Sequence, residues 1–301
     1  MTKRLSWILM AAGCLLLVFL GVRHFGPSAR ASAATGNIYG NNADGTPYVL
    51  VMTPGTFAVT DTLKNLSGSN GRGVVVVSGT MYYTSASTPQ VFSYTIATHT
   101  DLGTKFTVAG ATALSTMAFD GTNFWIGDYS GTNQAFLYSP TGTLLKTVHL
   151  ANCGSFCDGL EYFLQGGVNP RLISNEGDPA GPYDIYDTNG TLLTAHFLVP
   201  AYGGSSGVCY DGTNFITSDI YNGKLATWNG TTGAFISDTA ITGALSGFAP
   251  LVEDLSADYS ITLGPPPPPT VPTLSEVGLL LCAILLLASG VIMNRRRAAR
   301  A

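Results

Sequence analysis

Thr116-Met-Ala-Phe-Asp-Gly-Thr-Asn-Phe-Trp-Ile-Gly-Asp128 recurs as Gly207-Val-Cys-Tyr-Asp-Gly-Thr-Asn-Phe-Ile-Thr-Ser-Asp219. Each copy is an alternating run, a turn and a second alternating run. The shared Asp120 to Asn123 and Asp211 to Asn214 supply residues that tolerate the left-handed backbone of a tight hairpin, so both copies read as strand, turn, strand.

Working outward, the inner strands of successive units are marked by Val75, Met117, Leu160, Val208 and Leu255, spaced 42, 43, 48 and 47 residues apart. A second landmark keeps the same rhythm: Gln90–Tyr94, Gln134–Tyr138, Tyr183–Tyr186 and Lys224–Trp228 each end on an aromatic. A Gly-containing turn and a further strand follow, as in Thr141–Leu145 and Asn189–Leu193. Units of 40 to 50 residues with about four short strands are the pattern of propeller blades.

Two strands left over near the N-terminus, Tyr48–Met52 and Thr56–Thr60, would complete a blade with the strand at Leu255 and the run Tyr259–Leu263. The sequence therefore predicts an all-β fold, a five-bladed β-propeller over residues 35–264 closed by pairing of its N- and C-terminal strands, which would hide its sheet edges. The architecture resembles the broad propeller group of NHL, YVTN and WD-type repeats, although the signature of none of them is intact. A β-sandwich is the alternative.

The flanks are of another kind. Lys3 and Arg4 precede an apolar run from Trp7 to Val22, and Ala29-Arg-Ala31 and Ala31-Ser-Ala33 offer small-residue cleavage sites, so residues 1–34 read as a secretory signal peptide. An uncleaved signal anchor is the alternative. At the other end a proline-rich spacer, 265–271, leads to 272–301, where Val277–Met293 is long enough for a transmembrane helix and Arg295, Arg296, Arg297 and Arg300 follow. The positive-inside rule puts both charged ends in the cytoplasm and the region between them across the membrane.

The string Val271-Pro272-Thr273-Leu274-Ser275-Glu276, followed by a leucine-rich span and an arginine cluster, resembles the IPTL-CTERM sorting signal of exported proteins in Gram-negative bacteria that carry an exosortase. It departs from that pattern in Val271 and Val277, where isoleucine and tryptophan are usual. The resemblance implies handling by the secretion machinery, recognition by an exosortase-like membrane peptidase, and passage from a membrane-anchored precursor to the cell surface or extracellular matrix. An ordinary tail anchor is the competing reading.

Between residues 34 and 276 lie six basic residues and all eighteen acidic ones, a net charge of −12. Such a surface repels nucleic acid and anionic lipid and suits cations, extracellular polysaccharide or a surface protein. Cys153 and Cys157 are spaced for a local disulfide in an oxidising compartment, and Cys209 reads as a buried free thiol. His99, His149 and His196 fall on or near outer strands, where solvated positions are expected.

Aligning the ends of the second strands superposes Asp128, the pair Asn175 and Glu176, and Asp219, with Asp158 and Asp178 close by. That gives an acid or amide at one place in three successive blades, a ligand-binding candidate weighed against plain turn initiation. No catalytic residue is assigned, and no cofactor beyond a divalent cation such as calcium. The function expected is an exported binding or scaffold module, with a metal-dependent propeller hydrolase of the lactonase kind as the alternative.

Overall fold

The computed structural model of the chain describes residues 36–43, 47–64, 70–154, 157–176, 181–243 and 250–259. All belong to the first of two compact units, Met1–Ile261 and Thr262–Ala301. The segments expected to be signal peptide (1–34), proline spacer, sorting motif (Pro272–Glu276) and transmembrane span (277–293) lie outside the described residues, as does Asp178. Among the described residues no helix is long and apolar enough to cross a membrane.

The fold is all-β and propeller-like. Three strands open it, β1 (Ile38–Asn42), β2 (Tyr48–Met52) and β3 (Ala58–Lys64), followed by β4 (Gly71–Val77), β5 (Thr80–Ser85), β6 (Thr88–Thr95) and β7 (Thr100–Thr107). Next come β8 (Leu114–Phe119), β9 (Phe124–Asp128), β10 (Gln134–Tyr138) and β11 (Leu144–His149), and after them β12 (Leu160–Gln165), β13 (Asn169–Asn175), β14 (Tyr183–Asp187) and β15 (Leu192–Leu198). Then follow β16 (Ser205–Tyr210), β17 (Asn214–Asp219), β18 (Lys224–Asn229), β19 (Phe235–Ala240), the short β20 (Thr242–Gly243) and β21 (Val252–Tyr259). The strands from β8 to β19 form three four-stranded antiparallel sheets.

The remaining strands form one nine-stranded sheet in the order β20-β3-β2-β1-β21-β4-β5-β6-β7, because β21 and β4 are joined by a short parallel pairing at Asp258↔Val76 and Tyr259↔Val77. No sheet closes on itself. The termini do meet, but the shares differ from the sequence expectation. Among the described residues the N-terminal side gives three strands, β1 to β3, and the C-terminal side β21, which takes in Tyr259, with the two-residue β20 at the far edge on β3: β1 pairs with β21, Ile38 opposite Ala257 and Gly40 opposite Leu255. Ile38–Asn42 was overlooked because Gly40, Asn41 and Asn42 resemble a loop, yet all five residues are buried.

Burial grades across each run of four. β8, at one edge of its sheet, is buried throughout, while β11 at the other edge is mostly exposed, and the same holds for β16 against β19. A strand buried on both faces needs apolar or small residues at every position; a solvated one can be rich in Thr and Ser. Neighbouring sheets pack face to face. Ala118, Trp125 and Val148 meet Leu160, Leu172 and Tyr186, and Phe163, Ile173 and Ile185 meet Val208, Phe215 and Trp228.

The fully buried strands also touch one another. A Cβ at Gly159, just before β12, would stand 2.1 Å from Ser206 O, and one at Gly207 would stand 2.6 Å from Asp254 Cα, so only glycine lets β12, β16 and β21 approach this closely. Asp254 Oδ2 accepts from Val74 N and Met117 N, each at 3.0 Å, tying β21 to β4 and β8. Thr116 Oγ1 accepts from Leu160 N at 3.0 Å and links β8 to β12.

Candidate functional site

The site is built on bulges at the entry of the buried strands. Register slips between Gly71 and Val74 in β4, Leu114 and Met117 in β8, and Ser205 and Val208 in β16. In β21 the slip lies opposite, between Asn41 and Asn42, and skips Glu253. A bulge leaves an amide out of the ladder and re-aims the side chain beside it. Hydroxyls from the adjoining strands take up those amides, Gly73 N on Thr84 Oγ1 at 2.7 Å and Gly207 N on Ser218 Oγ at 2.8 Å.

The re-aimed positions are Arg72, Ser115, Ser206 and Glu253; Asp158 holds the corresponding place two residues before Leu160, ahead of β12, whose pairing shows no slip. Arg72, Ser206 and Glu253 form a connected group, and Asp158 lies near enough to feel the charges of Arg72 and Glu253. Arg72 Nη1 pairs with Glu253 Oε1 at 2.6 Å, with side chains only 12% and 11% exposed. Arg72 Nη2 donates to Tyr129 Oη at 3.0 Å, and its guanidinium lies 4.6 Å from the centre of that ring. Ser206 Oγ donates to Glu253 Oε2 at 2.9 Å.

Two shielded polar atoms here, Arg72 Nε and Asp158 Oδ1, have no hydrogen-bond partner among the described residues. Burial, reinforced by Glu253 and opposed by Arg72, pushes the Asp158 carboxyl up to about 7. Deeper in, burial pushes Glu161 up to about 8 despite donation from the Tyr259 hydroxyl and from Tyr162 N and Tyr210 N. Asp254 is likewise held well above the carboxylate range by burial.

The four acids and amides named from the sequence stand at the ends of β9, β13 and β17, each with a local task. Buried Asp128 accepts from Ser130 N at 3.0 Å and from the Thr132 hydroxyl. Asp219 accepts from Asn222 N at 3.3 Å and Asn222 Nδ2 at 2.8 Å. Asn175 Nδ2 donates to Ser205 O at 2.8 Å, fastening one sheet to the next.

Glu176 is different. Its Oε1 lies 3.1 Å from His196 Nε2, and with Asp184 these residues bring three potential ligand atoms within 4.8 Å of one another. Burial, then Asp184, raises the Glu176 carboxyl, and His196 opposes the rise. Asp184 is fully buried and is oriented by Asn152 Nδ2 at 2.7 Å and His196 N at 2.6 Å. Two carboxylates and an imidazole fit a borderline ion such as zinc or manganese better than calcium, which prefers oxygen ligands. His196, expected to be merely solvated, belongs to this group.

Cys153 and Cys157 are joined as a disulfide with Cα atoms 5.0 Å apart. Cys209 is buried, and burial holds its thiol far above the range of a reactive thiolate.

Sequence reasoning passed over Arg72, Ser206, Glu253 and Asp184, and took His196 as solvated. The first three had a signal: in each repeat they are the second residue before the buried-strand marker, once that marker in the first repeat is moved from Val75 to Val74.

No family model matches the chain, and no curated protein does. Among solved structures, a nidogen/laminin complex is similar over 73% of this chain and 97% of that one, with a TM-score of 0.49 and 11% identity. The glutaminyl cyclase of Myxococcus xanthus is similar over 62% of this chain and 70% of its own, with a TM-score of 0.44 and 11% identity. A computationally designed protein, Ika8, covers 69% of this chain and 74% of its own at a TM-score of 0.38 and 14% identity. Similarity this distant leaves site and activity to be read from the residues of this chain.

Proposed function

We propose that this chain is an exported binding or scaffold module at the cell surface or in extracellular polymer, a five-bladed propeller whose ligand face is the mouth formed by the entries of its buried strands. The closed ring is supported by the pairing of β1 with β21 and by the ties from β21 to β4 and β8, β8 to β12, β12 to β16 and β16 to β21. Delivery rests on the leader, the IPTL-like tail and its arginines, with the secretion machinery and an exosortase-type peptidase as processing partners. The acidic surface favours extracellular polysaccharide or a surface protein as the ligand over nucleic acid.

The observation that carries the reading is the buried group of Arg72, Glu253 and Asp158 with two polar atoms unpaired. A buried ion pair is seldom the most stable solution, since apolar residues of similar volume often serve stability as well or better. A group kept at that cost points to a ligand. A second reading, metal-dependent hydrolysis, has one observation in its favour, the cluster of Glu176, Asp184 and His196.

One experiment addresses both. The double substitution Arg72→Met with Glu253→Leu should leave the melting temperature within about 3 °C of the parent or above it, while the fraction of protein that sediments with the producing cells' isolated extracellular polymer falls at least about tenfold, roughly 1.4 kcal/mol. Unchanged sedimentation would remove the mouth from consideration. Melting of the parent with zinc or with chelator belongs to the same series. A rise of several degrees with zinc that is lost in His196→Ala supports a metal-dependent role, and no shift removes it.

A further inference from the structure

The bulge in each outer strand lies beside Met52, Tyr94, Tyr138, Tyr186 or Trp228, which puts the neighbouring strands of the five repeats in register. Two residues before these stand Leu50, Phe92, Phe136, Asp184 and Ala226. All five are buried, from 0% exposed at Leu50 and Asp184 to 9% at Phe92. A carboxylate thus holds in one repeat the place that an apolar side chain holds in the other four.

The outer strand departs from the repeat at the same point. Thr62, Thr104, Thr147 and Asp238 stand singly opposite the four apolar residues. Opposite Asp184 the pairing passes from Tyr183↔Leu198 to Ile185↔Thr194, so Ala195, His196 and Phe197 together face one residue. A bulge re-aims a side chain. His196 takes φ 54°, its N donates to Asp184 Oδ1 at 2.6 Å, and its Nε2 comes to lie 3.1 Å from Glu176 Oε1.

A carboxylate in a core position is costly unless donors or a cation meet it. Three donors reach Asp184: His196 N, Asn152 Nδ2 at 2.7 Å and Tyr186 Oη at 3.4 Å. A carboxylate offers about four lone-pair sites, which leaves one for the space shared with Glu176 and His196. With both carboxylates ionised, that space is negative whether or not the imidazole is protonated, and a divalent cation would neutralise it.

The geometry suits zinc. Bonds of about 2.0–2.1 Å give a tetrahedron with edges of about 3.3 Å, and the His196–Glu176 separation of 3.1 Å is already such an edge. All three ligand atoms lie within 4.8 Å of one another, so no pair has to close by more than about 1.5 Å. An ion can reach them, since the His196 side chain is 62% exposed and that of Glu176 25%. Asn152 supplies the orienting bond that metal ligands usually have. The other exposed histidine–acid pair, His99 with Asp61 at 3.0 Å, has no third ligand among the described residues.

We infer that Glu176, Asp184 and His196 hold one zinc ion, which ties the exit of β13 and the bulge of β15 to β14, with Asn152 as a positioning residue. The inference rests on the cluster that favours the second reading above, but it requires no hydrolysis and is independent of the mouth.

The test is titration of the full chain with zinc against a chromophoric chelator, followed by a long-range 1H–15N spectrum of the histidines. One equivalent should bind with a dissociation constant of about 10 μM or below. It should move the imidazole nitrogens of His196 and leave those of His24, His99 and His149 in place. His196→Ala and Glu176→Gln, at side chains open to solvent, should melt like the parent in chelator and weaken binding at least about tenfold each. Asn152→Ala should weaken it about tenfold, His99→Ala by less than about twofold, and calcium at about 1 mM should not displace the zinc. The inference is overturned if no zinc binds at about 100 μM, if His196→Ala and Glu176→Gln bind as tightly as the parent, or if calcium displaces the ion. Zinc held at the cluster of a protein that hydrolyses no ester or lactone would support the inference and remove the second reading.

Discussion

Glu161 has three donors around its carboxyl and no positive partner among the contacts that hold it, and burial outweighs the donors. A carboxyl raised on folding from 4.5 to about 8 carries an extra proton in the native state between those values, so its effect on stability is most favourable below pH 4.5 and declines as pH rises through about 8. Asp158, raised from 3.8 to about 7, acts in the same sense. Melting temperature should therefore fall between about pH 5 and pH 8. Glu161→Gln, which stays neutral and keeps an acceptor, should reduce that slope, leaving the part due to Asp158, and stabilise the protein at pH 8 by on the order of a few kcal/mol. An unchanged slope in Glu161→Gln would show that the carboxyl is ionised in the fold. Such residues were invisible in the sequence, because one Glu in an alternating run carries no mark of burial. Asp120 was legible: its Oδ1 accepts from Thr122 N at 2.8 Å and Asn123 N at 2.7 Å, the local bonding its tetrapeptide predicts.

At the scale of strands, the repeat could be read wherever alternation fixed its phase. Met117, Leu160 and Val208 follow polar or glycine residues and mark their strands unambiguously, whereas Val74 to Val77 are four valines with no phase at all, and there the reading slipped by one residue. A one-residue slip turns every side chain to the other face, which is why Arg72 was not aligned with Ser206 and Glu253. The glycine and asparagine residues of β1 hid a strand for a related reason: their small or amide side chains fit where β21 lies close, and propensity alone assigns them to a turn. The structure makes β1 the link between β21 and β2. Removing residues 36–43 should expose two sheet edges and part of the buried faces of Leu50 and Val252, lowering the melting temperature by more than about 10 °C or abolishing folding. Deleting Pro265–Pro269 should leave melting unchanged. Equal melting of the two deletions would count against the proposed ring closed by the termini, and an open array of sheets would then be the better description.

For the molecule as a whole, the proposed destination rests on parts of the chain that the repeat does not use. Under the positive-inside rule, Lys3 and Arg4 before one apolar run and four arginines after the other would both support the proposed orientation. The proposed export agrees with two features of the domain between: a net charge of −12, and a Cys153–Cys157 bridge of the kind that lasts where thiols are not kept reduced. The turn at Thr141 and Gly142, between β10 and β11, is where this can be examined without disturbing the fold. Thr141 and Thr143 are exposed, and Gly142 takes φ 84° in a hairpin on the outer side of its sheet. Alkaline phosphatase inserted there in the full chain should be active, because its own disulfides form only outside the cytoplasm, while a fluorescent protein that folds only in the cytoplasm should be dark at the same position. Replacing Lys3 and Arg4 with Glu should reduce phosphatase activity at least about fivefold, since the leader would lose its orientation bias. The reverse pattern, dark phosphatase and bright fluorescence in the unaltered chain, would place the domain in the cytoplasm. Leader and sorting tail would then both lose their meaning, and the acidic surface would need an intracellular ligand.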